Sequence, residues 1–382
     1  MYLLSKKILK NSNTLLLALF GFFLPLSLFF NGNTIVMILL LLNVGYDLLK
    51  RKSFIFDKSI FLLVYFLILC LTFFYSEELN LGVKMIVKSL PFLLIPLGLL
   101  TTSKVSNRQL NILSIGFFLG NITTIIISFI YGVVVFKNNP LPLKNGFSYF
   151  TSYVDIHPSY FSIFILYSVL LLFWNNRNNK DFTNFKKLII FISLIAIQLY
   201  LKSRAGLLAT TIIFLVYSFL HLKKRGLYLI LLIPIVLITV FKKDDFLNRN
   251  TSGSIEDRVR IWESSIEVIE NNLLLGVGIG DYQFELDKQY YLNSFDHGIN
   301  DRLNCHNQYL QTFVTSGILG ILSLLSVFTA LLYRAIKNKN EIILYFLISV
   351  SILMFFDSVL VRQHGILFFT FFSTILLKYK SE

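Results

Sequence analysis

Apolar runs of roughly 17 to 25 residues recur along the whole of this chain, and they constrain its fold more than any other feature. A run of that length, wound as a helix at about 1.5 Å per residue, crosses about 30 Å of hydrocarbon. Twelve such runs are read, near 14–30, 33–49, 59–75, 83–100, 110–136, 159–174, 188–201, 205–222, 227–241, 307–333, 342–358 and 364–377. With 55% hydrophobic and 15% charged residues, the composition also falls outside the range of soluble domains. The expected fold class is therefore all-α: a polytopic integral membrane helical bundle with about 12 transmembrane helices. No repeat, low-complexity tract or soluble domain interrupts residues 1–382, which read as a single membrane domain.

The net charge of +14 raises nucleic acid as a partner, and its distribution argues against one. Placing the N-terminus in the cytoplasm puts most Lys and Arg in short inner loops and tails, such as Lys50-Arg51-Lys52 and Lys223-Lys224-Arg225. That is the positive-inside bias of a membrane protein, and it makes both termini cytoplasmic. Lys6, Lys7 and Lys10 before the first run imitate a secretory signal, but no small-residue cleavage site follows Phe30, so the run reads as the first span. Cys70 and Cys305 suggest no disulfide framework.

Two connections, 137–158 and 242–306, are long for a bundle and fall on the outer side. The second is the large extracytoplasmic loop, and its 12 of the 21 acidic residues make it net acidic. Within it, residues 254–271 predict an amphipathic helix with Ile255, Val259, Trp262, Ile266 and Ile269 on one face. Ser254 and Asp257 resemble a capping box. Arg258 lies about 40° from Trp262 and borders that face, whereas Arg260 lies about 160° away beside Glu256 and Glu263. Arg258 is thus the candidate for a buried anion site, and Arg260 reads as a solvated ion-pair partner.

Arg204 lies in the very short outer turn Lys202-Ser203-Arg204. It reads either as a snorkelling interfacial arginine or as a guanidinium fixed to hold phosphate oxygens, with Lys202 as an accessory charge. His306, followed by Asn307 where the loop meets an apolar helix, is either a structural histidine or an imidazole able to take a proton near neutral pH. Adjacent Cys305 does not face it on a helix, so a Cys and His nucleophilic pair is not expected. Gly317, three turns further on, and Gly320 read as close-packing positions. His157 before Pro158 marks a helix start with a capping role, and Lys84 and Lys88 read as snorkelling or as extra outer charge. Gly276, Gly278 and Gly280 lack the GxGxxG spacing and read as a backbone turn. His297, Asp296 and Asp301 match no metal-ligand pattern, so no metal and no cofactor is expected.

These residues resemble a known family. Arg204-x-x-x-Leu208, the segment Arg258 to Trp262 with Leu274-Leu275-Gly276-Val277-Gly278-Ile279-Gly280, and His306-Asn307 followed by Gly317-x-x-Gly320 are similar in order and spacing to motifs of the bacterial O-antigen ligase and Wzy-type polymerase superfamily. Asn272 stands where that loop often has proline. The motifs cover about 200 to 320, and the ligase branch is favoured.

The resemblance implies a GT-C-type, metal-independent inverting glycosyltransferase at the outer face of the bacterial inner membrane. Its donor would be a glycan on undecaprenyl pyrophosphate and its acceptor lipid A-core or another glycan. His306 would be the base, Arg204 and Arg258 would bind pyrophosphate, and Lys84, Lys88, Lys202, Asn307 and His157 are possible accessory residues. A Wzy-type polymerase shares the motifs, and a protein-directed oligosaccharyltransferase belongs to the same superfamily. From another class, a lipid-linked sugar transporter would gather its ionisable groups near the bilayer midplane rather than at one surface.

Overall fold

The structure, a computed structural model, describes residues 2–26, 31–51, 55, 57–102, 104–135, 156–175, 184–221 and 255–380. Among these, fifteen α-helices and two 3-10 turns account for the regular structure, and the one β-bridge pairs Val105 with Tyr379. In chain order the helices are α1 (Tyr2–Phe23), α2 (Gly32–Arg51), α3 (Ile60–Phe73), α4 (Leu79–Ser89), α5 (Pro91–Gly98), α6 (Asn107–Val135), α7 (Pro158–Asn175), α8 (Asn184–Tyr200) and α9 (Arg204–His221). After these come α10 (Ile255–Asn271), α11 (Tyr282–Leu292), α12 (Asp296–Asn300), α13 (Gln308–Lys337), α14 (Glu341–Phe356) and α15 (Gln363–Lys378).

Among the described residues, six helical segments are long and apolar enough to cross a membrane: Gly32–Lys50, Leu79–Gly98, Asn107–Ile130, Pro158–Asn175, Arg204–His221 and Gln308–Lys337. Shorter apolar helices occupy Asn13–Leu26, Ile60–Phe73, Ile189–Tyr200 and Glu341–Phe356. All but one of the twelve apolar runs thus fall on helices, and the run at 227–241 lies outside the described residues. The run at 83–100 is divided between α4 and α5, because Pro91 opens a new helix at its first position. Most of the connection 137–158, and residues 242–254 of the large loop, also lie outside the described residues.

Two helices lie inside the bundle. α7 and α15 are buried almost all round, and their aromatic rings interlock with those of α6 and α14. Phe164 meets Phe368 at 4.8 Å, and Tyr167 meets Phe372 edge-on at 4.9 Å. Gly116 and Gly120, one turn apart, let α6 lie against α1, where a Cβ would come within 2.3 Å of the Ala18 carbonyl oxygen and 2.2 Å of that of Phe22. Leu67, Leu71, Leu119 and Leu322 face outward, as side chains solvated by lipid do.

The described part of the large loop folds into a cap of α10, α11 and α12. Glu267 on α10 accepts from Gln289 and Asn293, and Asn293 also donates to Ser264 Oγ at 2.9 Å. The expected amphipathic helix is present as α10, with its docking face displaced from the one read in sequence. Ile269 is buried and Trp262 half-buried as expected, but Val259 and Ile266 are exposed, and Ile261, Ser264, Ser265 and Val268 are buried in their place. The two serines donate back to the carbonyls of Arg260 and Ile261, which leaves them small and hydrogen-bonded, and so able to pack closely.

Candidate active site

α13 begins with an N-cap: Asn307 Oδ1 accepts from the backbone of Tyr309 at 2.9 Å and Leu310 at 3.2 Å. His306, one residue earlier, has a left-handed backbone with φ +44°, and its N–H donates to Asn304 Oδ1 at 3.0 Å. Two buried glutamines in the first turn of α13 then bind what surrounds the histidine. Gln308 Oε1 accepts from the Leu360 N–H at 2.6 Å, and Gln311 Oε1 accepts from the Cys305 N–H at 3.3 Å and the Ser358 hydroxyl at 3.4 Å. The turn between α14 and α15 is thereby fastened beside His306, and that turn carries Asp357 and Arg362.

Five ionisable groups act on one another here. Burial pushes the His306 imidazole below its ordinary pKa; Asp357 pulls it up, while Arg258 and Arg362 press it further down. Arg258 is likewise pulled down by burial, held up by Asp357 and pushed down by Arg204. Its Nη1 donates to the Phe356 carbonyl at 3.1 Å, and its guanidinium lies 5.5 Å from the centre of the Phe356 ring. Next along α10, Trp262 meets Phe355 edge-on at 5.3 Å, so this helix is pinned to the end of α14. Asp357 is only 5% exposed, and its Oδ1 is buried with no hydrogen-bond partner.

Arg204 is presented by the expected short turn. Ser203 caps α9, accepting from the Gly206 N–H at 3.0 Å, and its hydroxyl shares a 2.8 Å hydrogen bond with Ser162 on α7. Lys202 has φ +51°, so the chain reverses there within residues 201–203. Half-buried Arg204 is the first residue of α9 and cannot wander far from Arg258.

Of the residues singled out in sequence, His306, Arg258 and Arg204 are thus brought together at one end of the bundle, and His157 is the fourth. His157 Nδ1 lies 3.8 Å from Asp357 Oδ2 and accepts from the Ser159 N–H at 3.4 Å, which combines the expected cap with a contact to the cluster. Asn307 serves as the helix cap. Lys84 and Lys88 stand exposed on α4, whose buried residues are Gly82, Met85 and Ser89.

Other expectations need correction. Arg260 donates to the carbonyls of Asn293 and Ser294 at 2.9 Å each and lies 4.5 Å over the Phe295 ring, so it closes the end of α11 rather than pairing in solvent with glutamates. Gly317 does not continue the helix below His306. Ser316 and Gly317 leave helical geometry, and the segment after α10 fills the break: Val277 N–H donates to Val314 O at 2.8 Å, Gly278 N–H to Thr315 O at 3.0 Å and Ile318 N–H to Leu273 O at 2.9 Å. A Cβ on Gly317 would stand 2.3 Å from the Leu274 carbonyl oxygen, and one on Gly276 2.5 Å from the Ser316 nitrogen. The glycine-rich turn is therefore a backbone splice into α13.

His297 is tied to Asp301 at 3.2 Å and Asp257 at 3.5 Å. Among the described residues no three His, Cys, Asp or Glu side chains are grouped as a metal would need. The Cys305 thiol is fully buried and pushed up to about 12, which disarms it as a nucleophile.

Sequence reasoning missed Asp357, Arg362 and Tyr160. The Tyr160 hydroxyl is buried without a partner, and the charges of Asp357 and Arg362 act on it. The available signal was a lone carboxylate closing an apolar run, followed five residues later by arginine.

The cluster offers an imidazole that stays neutral at neutral pH, a buried carboxylate, and guanidinium groups with directed donors. Such an arrangement suits proton abstraction beside a polyanion. Comparison with curated proteins finds none that matches the chain. Residues 188–325, which hold Arg204, Arg258 and His306, match the family model described as O-antigen ligase.

Proposed function

We propose that this protein is an O-antigen ligase: a GT-C-type glycosyltransferase of the bacterial inner membrane, spanning it about 12 times. It moves a glycan from undecaprenyl pyrophosphate to lipid A-core on the periplasmic side, with both termini in the cytoplasm. The observation that carries this reading is the gathering of His306, Arg258 and Arg204, from three separated segments, at one end of an apolar bundle.

His306 accepts the proton of the acceptor hydroxyl as its oxygen attacks the anomeric carbon. The bond from that carbon to the pyrophosphate oxygen breaks, and its electron pair leaves with undecaprenyl pyrophosphate. Arg204 and Arg258 hold the developing negative charge, with no resident metal assigned to the task, because fixed guanidinium groups in a partly dehydrated site need little reorganisation. Direct attack inverts the anomeric centre. The bond energy resides in the donor, so no nucleotide takes part.

The Wzy-type polymerase is the second reading, because the two roles share the motifs around Arg204, Arg258 and His306 and differ in the acceptor. A strain lacking the gene, complemented with wild type or His306→Ala, separates the readings by lipopolysaccharide gel and lipid-linked glycan analysis. A ligase deletion leaves bare core while long polymer accumulates on undecaprenyl pyrophosphate, and His306→Ala fails to rescue. Core bearing a single repeat identifies the polymerase. Purified wild-type protein that transfers no glycan in detergent points to a transporter.

A further inference from the structure

The end of α13 opposite His306 carries a second built feature that the transfer reaction does not use. Between α3 and α13 lies a groove of about 730 Å³, floored by Ile60, Phe61, Leu322 and Leu325 and kept open by the small side chains of Ser326 and Ala330. It shares Asp57, Lys58 and Tyr333 with a polar cleft of about 410 Å³ at the bundle's rim, lined also by Lys104, Arg334, Lys337 and Lys380.

The charges in that cleft do not cancel. Asp57, its one acidic lining residue, is engaged by the buried ammonium of Lys378 from behind. Lys58 lies 3.7 Å over the exposed Tyr333 ring, and Lys337 bonds the same tyrosine's hydroxyl at 3.2 Å. Arg334 donates through Nη2 to the Tyr379 carbonyl, and its Nε is buried without a hydrogen-bond partner. A basic rim with an unused donor thus continues into an apolar channel along the bundle wall.

We infer that this paired cleft and groove is a binding site for an anionic phospholipid of the leaflet opposite the transferase centre, with the phosphate held by Lys58, Arg334 and Lys337 and one acyl chain in the groove between α3 and α13. Charge selects the occupant: a zwitterionic lipid brings its own cation to the lysines, whereas a phosphatidylglycerol headgroup brings none. The apolar groove fits a lipid rather than a free anion, because only a lipid brings an acyl chain to lie along Leu322, Leu325 and Phe61 beside the charges.

The test is retention of lipid by the full-length protein purified in detergent, read by native mass spectrometry while phosphatidylglycerol or phosphatidylcholine is titrated. Wild type should retain phosphatidylglycerol at least 10-fold better than phosphatidylcholine. Lys58→Gln with Lys337→Gln should remove that preference without lowering the lipid-free melting temperature. Ser326→Phe, which fills the groove and leaves every cation in place, should weaken phosphatidylglycerol retention by a similar factor. Equal retention of the two lipids by wild type, or undiminished preference in both variants, overturns the proposal. So does stabilisation by inorganic phosphate alone that matches phosphatidylglycerol, which would make the cleft a free-anion site. None of these readouts depends on glycan transfer.

Discussion

The two ends of α13 carry positive charge in opposite ways. At the His306 end, Arg258 is half-buried, bonded to a carbonyl and flanked by buried Asp357. At the other end, Lys58, Lys104, Lys337 and Lys380 are exposed on flexible stems. Charges of the first kind are held in position before a substrate arrives, which is what stabilising a transition state demands. Those of the second kind follow whatever anionic surface is near, and suit retention rather than chemistry. Net charge alone cannot separate them; burial and fixed partners do.

The sharpest way to break this distinction is to delete the proposed base. His306→Ala should lower glycan transfer by roughly 10²- to 10⁴-fold, the usual worth of general base catalysis, with donor binding little changed. Arg258→Gln should lose donor affinity as well as rate, because it also leaves Asp357 without its compensating cation. Comparable losses of transfer from Lys337→Gln would dissolve the contrast between the two ends. The measurement is transfer by purified protein at saturating and limiting donor.

A smaller loss should follow Gly317→Ala. Its φ of +59° with ψ of −155° belongs to a region that is essentially glycine's alone. The added methyl group also meets the Leu274 carbonyl. Destabilisation of roughly 1 to 3 kcal/mol is expected from the backbone conformation, seen as a lowered melting temperature in detergent. Transfer should suffer through displacement of α10, the helix that carries Arg258. A melting curve unmoved from wild type would show that the splice does not hold the site.

Part of this architecture is legible in the residues. Apolar runs give the helices, because in hydrocarbon the backbone must bond to itself, and short motifs single out Arg204, Arg258 and His306. The docking face of α10 is not legible in the same way: Ser264 and Ser265 are polar in any hydropathy pattern, yet they are buried with their hydroxyls bonded to the preceding turn. The role of Gly317 depends on a partner strand of chain some forty residues earlier, which no local period reveals. Asp357 reads as the polar end of an apolar run. Only the glutamines of α13 that fasten the next turn show that it belongs beside His306.

The smallest effect concerns that carboxylate, and it discriminates most finely. His306 must be neutral to take a proton, so transfer should fall as pH drops through its pKa in the folded protein. Burial, Arg258 and Arg362 place that pKa below the ordinary imidazole value of about 6.5, with Asp357 acting in the raising direction. Removing the negative charge in Asp357→Asn therefore moves the acid limb of kcat to lower pH. Arg362→Gln, which removes a charge acting in the lowering direction, moves it to higher pH. If Asp357 merely supported the turn, its loss would lower kcat at every pH and leave the limb in place, as it would if the titrating base were not His306. Opposite displacements in the two variants, measured on the same protein preparation, tie the pH dependence to the charges around this one ring.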